Sequence, residues 1–338
     1  MSEAEGPVQA DGATEANGPE PFHARPSDPV PEAKPRGGPS ELARRLMTAA
    51  VLIPLVLWIV ILGGIPYLIT VMAFALLAQR EFYRLIEDKG ALPLDGLGLV
   101  FGGAIVTVAF IGNEYHATIL LTASLLGLMV AQLRKARIHE ALASISGTFF
   151  GVFYVSWLLS HAIVLRFFFD SANAKYPYAD LLAHGFHPDS GIFFMIYVLV
   201  CVVGCDTGAY FAGRAWGRRK LAPKVSPGKT IEGALGGIAA GCFFGVLSKG
   251  VFDLFWADLS AAIPWRLIVP FALMLSVAGI LGDLVESMLK RDAKVKDAGG
   301  LLPGMGGVLD RIDAPLLAIP LMYYMLLGYL FLTLRVGL

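Results

Sequence analysis

Charge is scarce in this chain. Only 16% of its 338 residues are Asp, Glu, Lys or Arg, and 27 acidic residues balance 27 basic ones, so the formal net charge is zero. Without net charge there is no bulk attraction to nucleic acid or to an anionic substrate, and only local clusters carry meaning. Cysteine is nearly missing too. Cys201, Cys205 and Cys242 all lie in apolar stretches without CxxC spacing, which argues against a disulfide framework or a cysteine zinc site and leaves them as small apolar filler. The first 30 residues contain no apolar run after a basic start, so a secretory signal peptide is not expected.

Apolar residues fill the space that charge leaves. They make up 56% of the chain, and the mean hydropathy is +0.65, far outside soluble usage. The apolar runs approach the roughly 20 residues that a helix needs to cross about 30 Å of hydrocarbon. They lack the alternation of a membrane β-barrel. The expected fold is therefore all-α and polytopic, with nine spans near 46–63, 65–83, 95–112, 116–133, 143–165, 191–213, 230–250, 266–289 and 314–334. Residues 1–40, rich in Pro, Glu, Gly and Ala with no apolar period, read as a disordered tail. Residues 41–338 then form one membrane domain.

Sorting Lys and Arg into alternate loops tests the topology. Arg44, Arg45, the "REFYRLIEDKG" loop, "QLRKARIHE" and "GRAWGRRKLAPKVSPGK" fall on one side, with the basic 287–313 segment. Opposite them stand only Arg166, Lys175, Lys249, Arg266 and Arg335. That asymmetry predicts a cytoplasmic N-terminus. The long opposite-side loop "FFFDSANAKYPYADLLAHGFHPDSG" reads as an interfacial cap that places Tyr and Phe near the headgroups.

Two cytoplasmic regions within 204–313 concentrate the residues able to do chemistry. Asp206, Glu232, Asp283 and Glu286 sit in or at the ends of apolar helices, where an unpaired carboxylate costs at least about 2.5 kcal/mol. On a helix Asp283, Glu286 and Ser287 share one stripe, as do Asp310 and Asp313. Two carboxylate pairs from different segments suit a hard divalent ion, magnesium being the natural one, which could in turn grip phosphate oxygens. The plainer alternative pairs Glu286 with Lys290, and Asp310 or Asp313 with Arg311, as salt bridges. Beside the carboxylates stand Lys290, Arg291, Lys294 and Lys296, then Gly299, Gly300, Gly304, Gly306 and Gly307 around Pro303. Glycine allows close backbone approach to a polyphosphate, and the cations neutralise it.

Upstream, "SPGKT" opens an apolar helix, but a full P-loop fails because Pro223 stands where glycine is required. What remains is a helix N-terminus with Ser226 or Thr230 as cap and Lys229 nearby. Glycines 233, 237, 241 and 245 follow the small-xxx-small spacing of close helix packing. None of the six histidines falls in either region, so a His-ligated metal or histidine base is not expected.

From Ser287 to Asp313 the chain is similar to the C-terminal signature of the phosphatidate cytidylyltransferases (CDP-diacylglycerol synthases), at every fixed position but one. Met305 stands where that family has histidine. "CDTGAYFAGRAWGRRKL" and "SPGKTIEGALGG" resemble its second conserved block. The resemblance implies transfer of CMP from CTP to phosphatidate with release of pyrophosphate, in the bacterial inner membrane with a cytoplasmic site. It implies a metal centre at Asp283 and Asp310, supported by Glu286 and Asp313, holding magnesium and, by the family's habit, potassium. Lys290 and Arg291 join Asp283 and Asp310 as catalytic residues. Asp206, Ser226, Lys229, Thr230, Glu232, Ser287, Lys296, Asp297 and Arg311 are assigned to the triphosphate and the lipid phosphate. Partners would be CTP, phosphatidate and membrane lipids, with no nucleic acid and a homodimer left open. Rival readings are a CTP-dependent polyprenol kinase, an ion-coupled transporter, which needs inverted repeats not seen here, and a CDP-alcohol phosphatidyltransferase, whose D-G-x2-A-R core is missing.

Overall fold

A computed structural model describes residues 39–112, 114–135, 140–300 and 306–336. The tail expected over residues 1–40 lies outside these up to residue 38, and so does Met305. In chain order the helices are α1 (Pro39–Leu62), α2 (Gly64–Asp88), α3 (Asp95–Ile111), α4 (Glu114–Gln132), α5 (Ala141–Gly151), α6 (Leu158–Arg166), α7 (Phe168–Asn173) and α8 (Tyr178–Ala183). They continue as α9 (Ser190–Trp216), α10 (Ile231–Phe255), α11 (Ala257–Ser260), α12 (Trp265–Asp292) and α13 (Leu309–Val336). Six helical stretches among the described residues are long and apolar enough to cross a membrane: Gly64–Asp88, Ala141–Arg166, Ser190–Trp216, Ile231–Phe255, Trp265–Asp292 and Leu309–Leu334. Three shorter apolar helices, Ala50–Leu62, Asp95–Ile111 and His116–Gln132, accompany them.

The all-α expectation needs one addition. Lys220–Ala222 (β1) and Ser226–Thr230 (β2) pair as a small antiparallel hairpin before α10. Pro227 and Gly228 are poor strand formers, yet a two-stranded ribbon has only edges, where proline is tolerated.

α5 runs into α6 through a π-helical stretch, Val152–Trp157, so that the two form one span. Here a buried polar chain ties the N-terminal helices together. Ser156 Oγ donates to Gln79 Oε1 at 2.6 Å, Gln79 Nε2 donates to Tyr83 Oη at 2.6 Å and to the Gly98 carbonyl at 2.8 Å, and Tyr83 Oη donates to the Thr148 carbonyl at 2.9 Å. With little water in the bilayer core, such groups must find protein partners.

The glycine stripe acts as its spacing predicts. Gly233, Gly237, Gly241 and Gly245 are all buried, facing α9 and α12. A Cβ at Gly237 would stand 2.7 Å from the Cys205 carbonyl, and one at Gly245 3.0 Å from Ala272 Cβ. Cys201 and Cys205 are buried and all three cysteines are free.

The opposite-side loop departs from its expected role in its phenylalanines, while Tyr178 stays exposed. It folds into α7 and α8 and buries Phe168, Phe169, Leu181 and Phe186 inside the protein. Phe168 packs on Phe186, Phe194 and Tyr323 at centroid distances of 5.6–5.8 Å. These aromatics are core, because rings that find each other bury more apolar area than rings left among headgroups.

Candidate active site

Four segments meet where α9 ends and α13 begins. α12 brings Asp283, Glu286, Ser287 and Lys290 on one face, since residues three and four apart stack on a helix. α13 starts at Leu309, before the span expected from residue 314, and this early start places Asp310 and Asp313 in its first turns. Gly282 lets the two helices touch: a Cβ there would lie 3.1 Å from Ala314 Cα. That close approach delivers Asp313 to the α12 carboxylates. Oxygens of Asp283, Glu286 and Asp313 all lie within 4.8 Å of one another.

Lys290 organises the interior side. Its Nζ is 2.7 Å from Glu286 Oε2 and 2.7 Å from Asp310 Oδ1. Glu286 is 1% exposed, and its Oε1 has no hydrogen-bond partner among the described residues. Asp310 is held further by loop amides: Gly307 N–H donates to Oδ2 at 2.7 Å and Ala298 N–H at 3.2 Å. So Glu286–Lys290 does form as the plainer reading expected, but Lys290 joins it to Asp310, and Arg311 is exposed. Of the two α13 aspartates, Asp313 lies in the carboxylate cluster and Asp310 in the Lys290 bridge.

Asp283 faces outward to the hairpin. Its Oδ2 is 2.6 Å from Lys229 Nζ, and Ser287 Oγ donates to Oδ1 at 3.3 Å. Beside this pair opens a cavity of about 460 Å³ lined by Asp206, Tyr210, Arg214, Lys229, Thr230 and Asp283. Thr230 is the N-cap of α10, accepting from Gly233 N–H at 3.1 Å, which resolves the choice between Ser226 and Thr230. Arg291 ties α12 to the hairpin, its Nε donating to the Val225 carbonyl at 3.4 Å. Asp206, Asp283, Glu286, Asp310 and Asp313 thus outnumber Lys229 and Lys290, the lysines that touch them. A surplus of carboxylate oxygens in a partly buried setting is what a hard cation neutralises.

Several assigned residues stand apart. Glu232 accepts from the Arg218 and Arg219 amides at 3.0 and 3.1 Å, which clasps the base of the hairpin. Ser226 pairs in register with Ala222. Lys296 and Asp297 are exposed. Gly299 and Gly307 are narrow for a different reason from the one expected: they close over Glu81 of α2, a carboxylate that sequence reasoning passed over. A Cβ at Gly307 would stand 2.6 Å from Glu81 Oε2, and Leu309 N–H donates to that same oxygen at 2.8 Å. The only signal in the sequence was an acidic residue at the end of an apolar run, within a loop read for its basic residues.

Comparison with known proteins gives the family. A family model described as the cytidylyltransferase family matches residues 43–329. A phosphatidate cytidylyltransferase of Synechocystis sp. is 32% identical over 292 residues, covering 83% of this chain and 95% of that protein. One from Bacillus subtilis is 31% identical over 296 residues, 85% of this chain and 98% of its own length. One from Haemophilus influenzae is 45% identical over 148 residues, 42% of this chain and 49% of that protein. With the match running from α1 into α13 and so enclosing every carboxylate of the cluster, the chain belongs to the cytidylyltransferase family.

Proposed function

We infer that this protein is a membrane phosphatidate cytidylyltransferase: an oxygen of the phosphatidate phosphate attacks the α-phosphorus of CTP, the bond to the β-phosphate breaks, and CDP-diacylglycerol and pyrophosphate result. The observation that carries the reading is the cluster of Asp283, Glu286 and Asp313 beside Lys229, Lys290 and an open cavity, at the ends of helices able to span a membrane. The attacking phosphate is already ionised at neutral pH, so no strong general base is needed. The difficulty is bringing two anions together and holding charge as pyrophosphate leaves.

The oxygen donors of Asp283, Glu286 and Asp313, with the unpartnered Glu286 Oε1, fit a divalent cation such as magnesium. When bound, that ion supplies Lewis-acid neutralisation of phosphate oxygens. Lys290 keeps Glu286 and Asp310 in place from the protein side. Lys229, in the wall of the cavity, can exchange Asp283 for an incoming phosphate, and Arg214 extends the cationic wall. Potassium is a second cation to test. The three shorter apolar helices complete nine spans with the N-terminus and site cytoplasmic, where CTP arrives, while the acyl chains of phosphatidate remain in lipid.

The test incubates membranes holding the protein with phosphatidate and CTP labelled at either the α- or the γ-phosphate, with and without a chelator. Metal-dependent transfer of the α label into lipid is expected. Transfer of the γ label instead would make the protein a lipid kinase, and absence of both would overturn the reading.

A further inference from the structure

We propose that Glu81, on α2, is a positioning residue for this reaction: it fixes the first turn of α13 and thereby sets where Asp310 and Asp313 stand relative to Lys290 and Asp283. The inference rests on the function proposed above.

Glu81 is 1% exposed. A carboxylate buried that deeply is costly unless hydrogen bonds and charge hold it, so its retention there calls for a role that an apolar residue could not fill. Its Oε2 accepts from Leu309 N–H at 2.8 Å. Leu309 opens α13, so this amide is one of the helix's free N-terminal donors, at the positive end of its dipole. The chain on either side wraps the carboxylate tightly: a Cβ at Gly299 would stand 2.7 Å from Glu81 Cδ, and one at Gly307 2.6 Å from Oε2. Real Cβ contacts are essentially never that close, so a side chain at either position would push the turn and the Glu81 carboxylate apart.

The same turn is gripped from its other side. Asp310, one residue beyond Leu309, accepts from Gly307 N–H and Ala298 N–H while its Oδ1 meets Lys290. Glu81 therefore holds from α2 what Asp310 holds from α13. A shift of Leu309 moves Asp310 and Asp313 with it, because all three lie within the first turns of one helix. The His161–Tyr324 hydrogen bond, 3.1 Å, joins α6 to α13 farther along the helix, whereas the Glu81 contact acts on its first turn, so it relays the placement of α2 to the carboxylate cluster.

The experiment compares Glu81→Ala, Glu81→Gln and Gly307→Ala with wild type, purified in detergent. Three properties are measured: kcat and KM for CTP, Mn²⁺ binding by electron paramagnetic resonance without substrates, and Tm. For Glu81→Ala, kcat and Mn²⁺ affinity are expected to fall about 10- to 100-fold, the usual cost of losing a partner behind a metal ligand, with KM for CTP moving less than about threefold. Glu81→Gln, which still offers an oxygen to Leu309 N–H, should recover most of both. Gly307→Ala keeps the carboxylate but displaces the turn, and should reproduce the Glu81→Ala defect even if that variant folds poorly. The proposal is overturned if Glu81→Ala matches wild type, if Glu81→Gln is as impaired as Glu81→Ala, or if activity falls only with the folded fraction while Mn²⁺ affinity holds. An inactive wild type would instead refute the proposed function, and Mn²⁺ affinity would still judge Glu81.

Discussion

Charge is buried at both ends of the helix bundle, but it is settled at one end and unsettled at the other. Where α10 ends and α12 begins, Lys249 is 4% exposed, yet it meets Asp253 at 2.7 Å and the Ser260 carbonyl at 2.7 Å. Ser260 in turn donates to Asp253 at 2.6 Å, and the ammonium lies 5.9 Å from the Phe193 ring centroid. Arg166 is closed in the same way, by the Val60 and Ile61 carbonyls at the end of α1 and by Asp189. Each cation there has its anion and its acceptors. At the far end of α12, among the described residues, five carboxylates share two contacting lysines, and Glu286 keeps an oxygen without a hydrogen-bond partner. Satisfied charge holds helices together, whereas surplus charge of one sign waits for a ligand.

The sharpest way to break this contrast is to remove one carboxylate from the surplus. Asp283→Asn should lower CMP transfer about 1,000-fold, equivalent to the several kcal/mol that a bound metal contributes, with Tm unchanged because Asp283 is partly open to solvent. A chelator should produce the same loss in wild type and have no further effect on the variant. Removing the cation is expected to act next most strongly. Lys290→Met leaves Glu286 and Asp310 without their shared partner, so activity should fall about 100-fold and stability by about 3 kcal/mol, read from turnover and from denaturant unfolding.

The settled end predicts the reverse. Lys249→Met should cost about 1–3 kcal/mol in unfolding measurements, less than a fully buried pair because Asp253 reaches solvent, while kcat of the folded enzyme stays at the wild-type value. A strong loss of turnover without loss of stability would erase the distinction. Smallest of all, Glu232→Gln should raise KM for CTP by only about two- to threefold, since the amide oxygen still accepts from the hairpin amides.

Much of this arrangement could be read from residue order alone, where its determinants are local. Apolar runs mark the helices, and the four-residue glycine period marks the α9–α10 contact because helix faces repeat every 3.6 residues. Asp283, Glu286 and Ser287 could be grouped for the same reason. Helix ends were harder: charged residues truncate a hydropathy run, so α13 was expected to start at 314 although its helix begins at Leu309. Which of Asp310 and Asp313 turns toward Asp283 depends on how α13 is rotated against Gly282, a tertiary contact. The hairpin was missed because "SPGKT" reads as the N-terminus of α10, while Ser226–Thr230 pairs as a strand with residues before it. Glu81 was missed because its partner lies 228 residues away, and nothing in the local pattern links the two.

That separation has a consequence for biogenesis. α2 enters the membrane early in synthesis and Leu309 is made 228 residues later. At the usual 5–20 residues per second, Glu81 waits on the order of ten to fifty seconds for its helix N-terminus. During that interval the nascent protein carries an unmatched acid at the edge of the bilayer and no finished site. Catalytic competence therefore arrives only with the final helix, and ribosomes that stop before α13 release chains that cannot begin the reaction.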